Sequence, residues 1–184
     1  LAAARIKVLA PDALRDRLGR NLDLLSGGPR DLDARQQNIR ATIQWSYDLL
    51  EPDERTAFRA LAVFQGGFTL AAAEAVLADS HGFDAFTTLE LVSSLIDKNL
   101  IRTASVDGAE PRYAMLFIIR SFGFAELEAS ADSESIHRGF VRWVQALTDR
   151  AARVFRDGGA EEQWDHFAEM ERERGNWRAA LRWL

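Results

Sequence analysis

Apolar residues recur with a helical period along most of the chain and switch to a period of two in one short stretch. Ile39, Ile43, Tyr47 and Leu50 lie on one stripe, which predicts an amphipathic helix from Gln36 to a break at Pro52. Pro52-Asp53 opens the next helix, with Phe58, Leu61, Ala62 and Phe64 on its inner side and Gly66-Gly67 as its stop. Thr69 is placed to cap "LAAAEAVLA". Asp84 is placed to cap a helix whose buried face is Leu89, Val92, Leu95 and Ile96, and Asn99, tolerant of the left-handed conformation, ends it. "LIRTA" (100–104) and "RYAML" (112–116) then alternate as short strands around "SVDGAEP", with Asp107-Gly108 as the turn.

Three helices followed by a hairpin is the layout of a winged-helix domain, the hairpin being the wing. Beyond it the helical period returns. Ile118, Phe122 and Ala125 mark one helix. Ser133 caps a longer one with the stripe Ile136, Phe140, Val144, Leu147, Ala151 and Phe155, ended by Gly158-Gly159. Trp164, Phe167 and Ala168 begin another, and Asn176 is read as the cap of a last helix with Trp177, Leu181 and Leu184. Helix pairs on short connections suggest the start of an α-solenoid, although no fixed repeat period is visible. At the other end, Pro11-Asp12 starts a short helix through Leu18, and "SGGPRDLDAR" (26–35) reads as a loop and a boundary. The expected fold is mainly α: a winged-helix domain with a small β-hairpin wing over residues 31–130, then α-solenoid-like helices over 131–184, preceded by a separate segment over 1–30.

Composition narrows the chemistry. Hydrophobic residues make up 47% of the 184, enough for a core. No apolar run approaches the ~18 residues of a membrane span. Cysteine is absent, so disulfides and thiolate metal sites are excluded, in keeping with a reducing cytoplasm. The net charge of −5 disfavours nucleic acid and anionic membranes as partners.

The residues offer no catalytic constellation. A phosphate-binding loop needs G-x-x-x-x-G-K-[ST], and neither lysine of the chain, Lys7 or Lys98, follows a glycine. His81, His137 and His166 are far apart and read as surface or helix-flank residues, with no metal site. Glu169, Glu171 and Glu173 read as a solvated helix face. Trp45 and Tyr47 are expected to pack between helices. The third helix of the winged-helix pattern, "DAFTTLELVSSLIDKN", sets Asp84, Glu90 and Asp97 against a single Lys98, the wrong charge for reading DNA.

Several blocks together resemble one family. "RQQNIRATIQWSYDLLEPDERTAFRALAVFQGGFTLAAAEAV" (35–76), "LVSSLIDKNLI" (91–101) and "RYAMLFIIRSFGFAEL" (112–127) resemble, in order and spacing, a segment of bacterial STAND-type regulators. These are large P-loop NTPases of the NB-ARC kind, many of them transcriptional regulators. "LAAARIKVLAPDALRDRL" (1–18) is similar to the end of the helical (ARC-like) subdomain, and "ERGNWRAALRWL" (173–184) to the opening of TPR-like helical repeats.

The resemblance implies a non-catalytic regulatory segment that couples the nucleotide state of an NTPase core to sensor and output domains. The alternatives are a free-standing protein–protein interaction module or a DNA-binding winged helix. The implied partners are the NTPase core and the helical-repeat domains of the larger protein. ATP or ADP would be the cofactor there, with no cofactor on this segment. The open end of the last helix, at Trp177, Leu181 and Leu184, suggests weak self-association. In the wider family the wing–helix junction often carries Met-His-Asp, whose histidine reaches the β-phosphate of ADP. The matching residues here are Met115, Leu116 and Phe117. Leucine at the second place is usual for the bacterial branch, and Phe117 departs from its usual acidic residue. Arg120, one turn on, is the nearest group able to meet a phosphate. The plainer expectation for this junction is core packing.

Overall fold

The computed structural model describes residues 30–105 and 110–184. The short helix expected at 11–18 and the turn at Asp107-Gly108 lie outside the described residues. The chain divides into two compact units, Leu1–Leu49 and Leu50–Leu184. The described part of the first is helix α1 (Arg30–Asp48). It begins inside the segment expected to be a loop through residue 35, because nothing after Pro29 breaks a helix. Of the expected stripe, Ile43, Tyr47 and Leu50 are buried and Ile39 is 46% exposed, while Trp45, expected to pack between helices, is 66% exposed. Two residues from either stripe member at ~100° per residue, Trp45 points to the opposite side.

The second unit contains α2 (Pro52–Leu61), β1 (Phe68–Thr69), α3 (Leu70–His81), α4 (Ala85–Asp97), β2 (Arg102–Ser105), β3 (Arg112–Ala114), α5 (Phe117–Glu128), α6 (Ser133–Asp157) and α7 (Ala160–Trp183). Helix ends follow local chemistry. Pro52 occupies the first turn of α2, and the Glu54 carboxylate accepts the Glu51 N–H at 2.9 Å. Thr69 accepts from the Ala72 N–H at 3.2 Å to start α3, and Asp84 from the Thr87 N–H at 2.7 Å to start α4. Asn99 is left-handed, with φ 57°. Asp132, one residue before the expected Ser133, occupies the cap position of α6.

The sheet has three antiparallel strands in the order β1-β3-β2, not the two of a bare hairpin. Phe68 faces Tyr113 and Thr69 faces Arg112. Two residues are too few to display an alternating pattern, so β1 leaves no periodic trace in the sequence. It also explains the glycine pair better than a helix stop does. Helix α2 ends earlier, at Leu61, and Gly67 has φ 81°, with space for a Cβ only 2.6 Å from the Tyr113 carbonyl oxygen. Only glycine lets the chain turn there and pass that close to β3. The result is a winged-helix-like arrangement followed by helices.

Phe64 holds the core together. It lies 5.1 Å from Phe68 on β1, and edge-on to Phe140 and Trp143 of α6 at 5.3 and 5.2 Å. The N-terminal half of α6 packs on α3, reinforced by Arg142–Asp79 at 2.6 Å and a bond from Ser135 to the Ser80 carbonyl at 3.2 Å. In α4, Thr88 and Leu91 take inner positions, while Leu89, expected there, is 42% exposed.

Helices α6 and α7 form an antiparallel hairpin around Gly158-Gly159. Phe155 meets His166, Arg150 pairs with Glu169, and His137 stacks on Trp183. Helix α7 runs unbroken for 24 residues, so Asn176 lies in its interior and caps nothing. A Cβ on Gly175 would run into the Gln65 carbonyl oxygen. Gly-to-Ala in an exposed helix interior stabilises by about 0.5–1 kcal/mol. Gly175→Ala is expected to do the reverse and cost about 1–3 kcal/mol, as overpacking does. Urea unfolding checks the sign, and a rise in midpoint would contradict the packing described.

Candidate functional site

The most elaborated polar structure lies where α7 meets the loop after α2 and strand β3. Asn176 is fully buried. Its Oδ1 accepts the Gln65 N–H at 2.7 Å, and its Nδ2 donates to the Gly67 carbonyl at 3.0 Å and to Glu173 at 2.6 Å. Both amide protons and the oxygen are therefore used. Glu173 also pairs with Arg112 of β3, and Arg112 donates to the Gly66 and Gly67 carbonyls at 3.3 and 3.2 Å. The side chains of Arg112 and Glu173 are 13% and 6% exposed. Removing one partner from such a desolvated pair strands the other charge and costs about 3–5 kcal/mol.

A cleft of about 350 Å³ opens beside this junction. The Arg112–Glu173 pair forms part of its lining, and the N-terminus of α3 reaches it through Ala71 and Ala72. Glu110, just before β3, accepts the Ala71 N–H at a long 3.4 Å. Helix α6 contributes Trp143 and Leu147, and the Arg150–Glu169 ion pair joins α6 to α7 within the lining. Arg172, which is exposed, also lines the cleft. A neighbouring cavity of about 10 Å³ shares Leu147, Glu169 and Glu173 with the cleft. Its size is that of one water molecule. His166 and Trp177 line it, and each has a buried nitrogen without a protein partner, Nε2 and Nε1 respectively. The other ring nitrogen of His166 faces Glu169 at 3.0 Å.

Sequence reasoning missed this site. His166 and Glu173 were expected on a solvated surface, yet they are 7% and 4% exposed, and His137 is buried against Trp183. The inner stripe of α7 runs through His166, Met170, Glu173, Asn176 and Ala180. That spacing is helical but the residues are mostly polar, so a search for apolar periodicity passes over it. The one available signal was Gly175-Asn176 within a segment that otherwise favours helix.

The residues nominated from the sequence lie elsewhere, and none of them lines the cleft. Met115 is half-buried. Leu116 occupies the cap position of α5 and is 49% exposed, and Phe117, the first residue of α5, is 43% exposed. Core packing at Leu116 and Phe117 is therefore not what this unit provides. Arg120 turns inward and donates to the Ala62 carbonyl at 3.4 Å, and burial pushes its pKa below the ordinary arginine value. It meets the end of α2, where carbonyl groups lack helical partners.

The outward face of α4 is apolar and acidic. Phe86 is 70% exposed, and Glu90 and Asp97 are exposed beside it. Lys98 is tied to the buried Glu54, which also accepts from Ser94. Burial alone would raise the Glu54 pKa, but the bonds from Lys98, Ser94 and the Glu51 N–H hold it below the usual carboxylate value. Among the described residues, no cluster of three or more His, Cys, Asp or Glu could hold a metal ion, and no helix is long and apolar enough to cross a membrane.

No family model matches the chain, and no solved structure matches it. Curated relatives do. Over 187 residues it is 36% identical to a Mycobacterium tuberculosis protein named "Putative HTH-type transcriptional regulator", a match that covers 99% of this chain and 20% of the relative. An uncharacterized M. tuberculosis protein is 32% identical over 136 residues, covering 74% of this chain and 34% of that protein. The regulatory protein AfsR of Streptomyces coelicolor is 34% identical over 143 residues, covering 73% of this chain and 13% of AfsR. The chain spans about a fifth of the length of the first of these relatives. It is thus similar, along almost its whole length, to one segment of a protein named as a transcriptional regulator.

Proposed function

We propose that the chain is the coupling segment of a larger cytoplasmic, STAND-type transcriptional regulator. It does no chemistry itself and passes the nucleotide state of an NTPase core to the helical sensor and the output domain. The resemblance of its sequence blocks and the names of its relatives support the regulator reading. The observation that carries the coupling role is the Asn176–Glu173–Arg112 junction. It ties the first helical hairpin after the wing to the winged-helix-like unit through buried polar bonds. A motion imposed on either part would be transmitted to the other. The acidic and apolar face of α4, with its one lysine neutralised by Glu54, favours a protein partner over DNA.

The coupling is tested by Asn176→Asp, which removes two donated hydrogen bonds and sets a second carboxylate beside Glu173. The expected cost is about 3–5 kcal/mol, as for a broken buried pair. Unfolding of the wild-type chain should give coincident transitions by far-UV circular dichroism and tryptophan fluorescence. In the variant, loss of the C-terminal hairpin should precede loss of the rest. An unchanged midpoint with coincident transitions would sink the coupling role.

The absence of catalysis and of DNA reading is tested on the same chain. ATP hydrolysis is expected to stay at the buffer rate. Fluorescence anisotropy with random duplex at ~0.15 M salt is expected to show no binding in the range of about 10⁻⁴–10⁻⁶ M typical of non-specific DNA binders. Hydrolysis that co-elutes with the protein, or micromolar binding with a steep salt dependence, would overturn this reading.

A further inference from the structure

We propose that the outward face of α7 pairs, antiparallel and about a two-fold axis, with the same face of a second copy of this chain. The proposal goes beyond the coupling role and does not depend on it.

The face is a single row. Trp164, Phe167, Glu171, Arg174, Arg178 and Leu181 are all exposed and follow one another at alternating steps of three and four residues. At ~100° per residue the row runs along the side of the helix away from the inner stripe of His166, Met170, Glu173, Asn176 and Ala180. Alternating steps of three and four are the spacing of a seam that meets another helix. Three large apolar side chains stand open on it: Trp164 at 73%, Phe167 at 49% and Leu181 at 72%. Trp164 and Phe167 touch edge-on at the N-terminal end, with ring centroids 6.3 Å apart. Leu181 stands ~21 Å further along the helix. Of the residues the sequence suggested for self-association, Leu181 belongs to this row. Trp177 instead turns inward to the small cavity, and Leu184 lies past the end of α7.

The order of residues along the row selects a second copy as its occupant. Laid antiparallel, Trp164 of one chain meets Leu181 of the other, Phe167 meets Arg178, and Glu171 meets Arg174. Each contact occurs twice, as a two-fold axis requires. The charges are exposed and need no partner; their part is to choose the register. Within one chain Glu171 and Arg174 lie 3.8 Å apart. Across the axis the two pairs form a ring of alternating sign. Sliding the helices by one heptad one way sets Arg174 against Arg178. Sliding them the other way sets Phe167 against Glu171 and leaves Leu181 uncovered. A parallel alignment sets Glu171 on Glu171 and Arg174 on Arg174, and like charges so placed oppose association. The antiparallel register covers all three apolar side chains and opposes no like charges, and Arg178 over the Phe167 ring adds a cation–π contact. One helix against one helix, charged at its middle, belongs to the small transient interfaces below ~1,200 Å², so the dimer is weak, with Kd of about 0.1–1 mM.

Sedimentation equilibrium of the 184-residue chain from ~10 μM to ~1 mM tests this. The wild type should show a reversible monomer–dimer equilibrium. Glu171→Arg and Arg174→Glu each reverse one charge, so both pairs at the axis become repulsive, and each variant should weaken the dimer at least tenfold. An equimolar mixture of the two variants sets opposite charges against each other again and should recover the wild-type association as a heterodimer. Leu181→Asp should weaken the dimer at least tenfold by placing a charge against Trp164. All three positions are exposed, so the circular dichroism spectrum and urea midpoint of each variant should match the wild type. If the chain stays monomeric to ~1 mM, if the variants associate as the wild type does, or if the mixture recovers nothing, the face belongs to another occupant and the proposal is wrong.

Discussion

The turn that leads from α2 into the sheet leaves a half-buried N–H at Gln65 and a carbonyl at Gly67 outside any secondary structure, and α7 reaches back across the second unit to meet them. Such groups cost about 1–3 kcal/mol each when left unpaired. Asn176 satisfies both, from 111 and 109 residues further along the chain. For it to arrive there, α6 must pack on α3, the hairpin must close at Gly158-Gly159, and α7 must come close enough that position 175 has no room for a Cβ. Phe64, inside the same loop, anchors the apolar side of this arrangement on Phe140 and Trp143. The polar and apolar halves of the contact therefore fix the same register.

That the seam is polar matters for what it can do. An apolar seam tolerates small slips, because one methyl group replaces another. A shift of α7 by one turn would carry Glu173 away from Arg112 and leave two charges buried and unpaired, at a cost of several kcal/mol. The junction thus admits one geometry. The same charges, where the seam opens into the cleft, give the lining its mixed sign.

The legible parts of the sequence were those governed by local chemistry. The caps at Thr69 and Asp84, the left-handed Asn99 and the apolar stripe at the start of α6 each follow from a few neighbouring residues. Illegible parts were governed by distant partners. The strand Phe68–Thr69 exists because β3 lies beside it, and two residues carry no period. Glu173 looked like one carboxylate in a solvated row, and it is Arg112, 61 residues earlier, together with Asn176, that makes it a buried group. Asn176 looked like a cap because its side chain commonly serves that purpose, and here the same hydrogen-bonding ability serves a backbone loop from another part of the chain. Trp45 was misplaced for a simpler reason: adjacency to a stripe is not membership of it.

The central claim is that the winged-helix-like part and the α6–α7 hairpin behave as one body. Because the chain has no cysteine, a single pair of spin labels can be placed cleanly, at Glu90→Cys on α4 and Arg178→Cys on α7, both exposed positions. Pulsed electron–electron resonance then reads the distance between the two elements directly. A single body gives one narrow distance distribution in the 184-residue chain. A broad or two-peaked distribution would mean that the hairpin moves independently of the wing, and would contradict it.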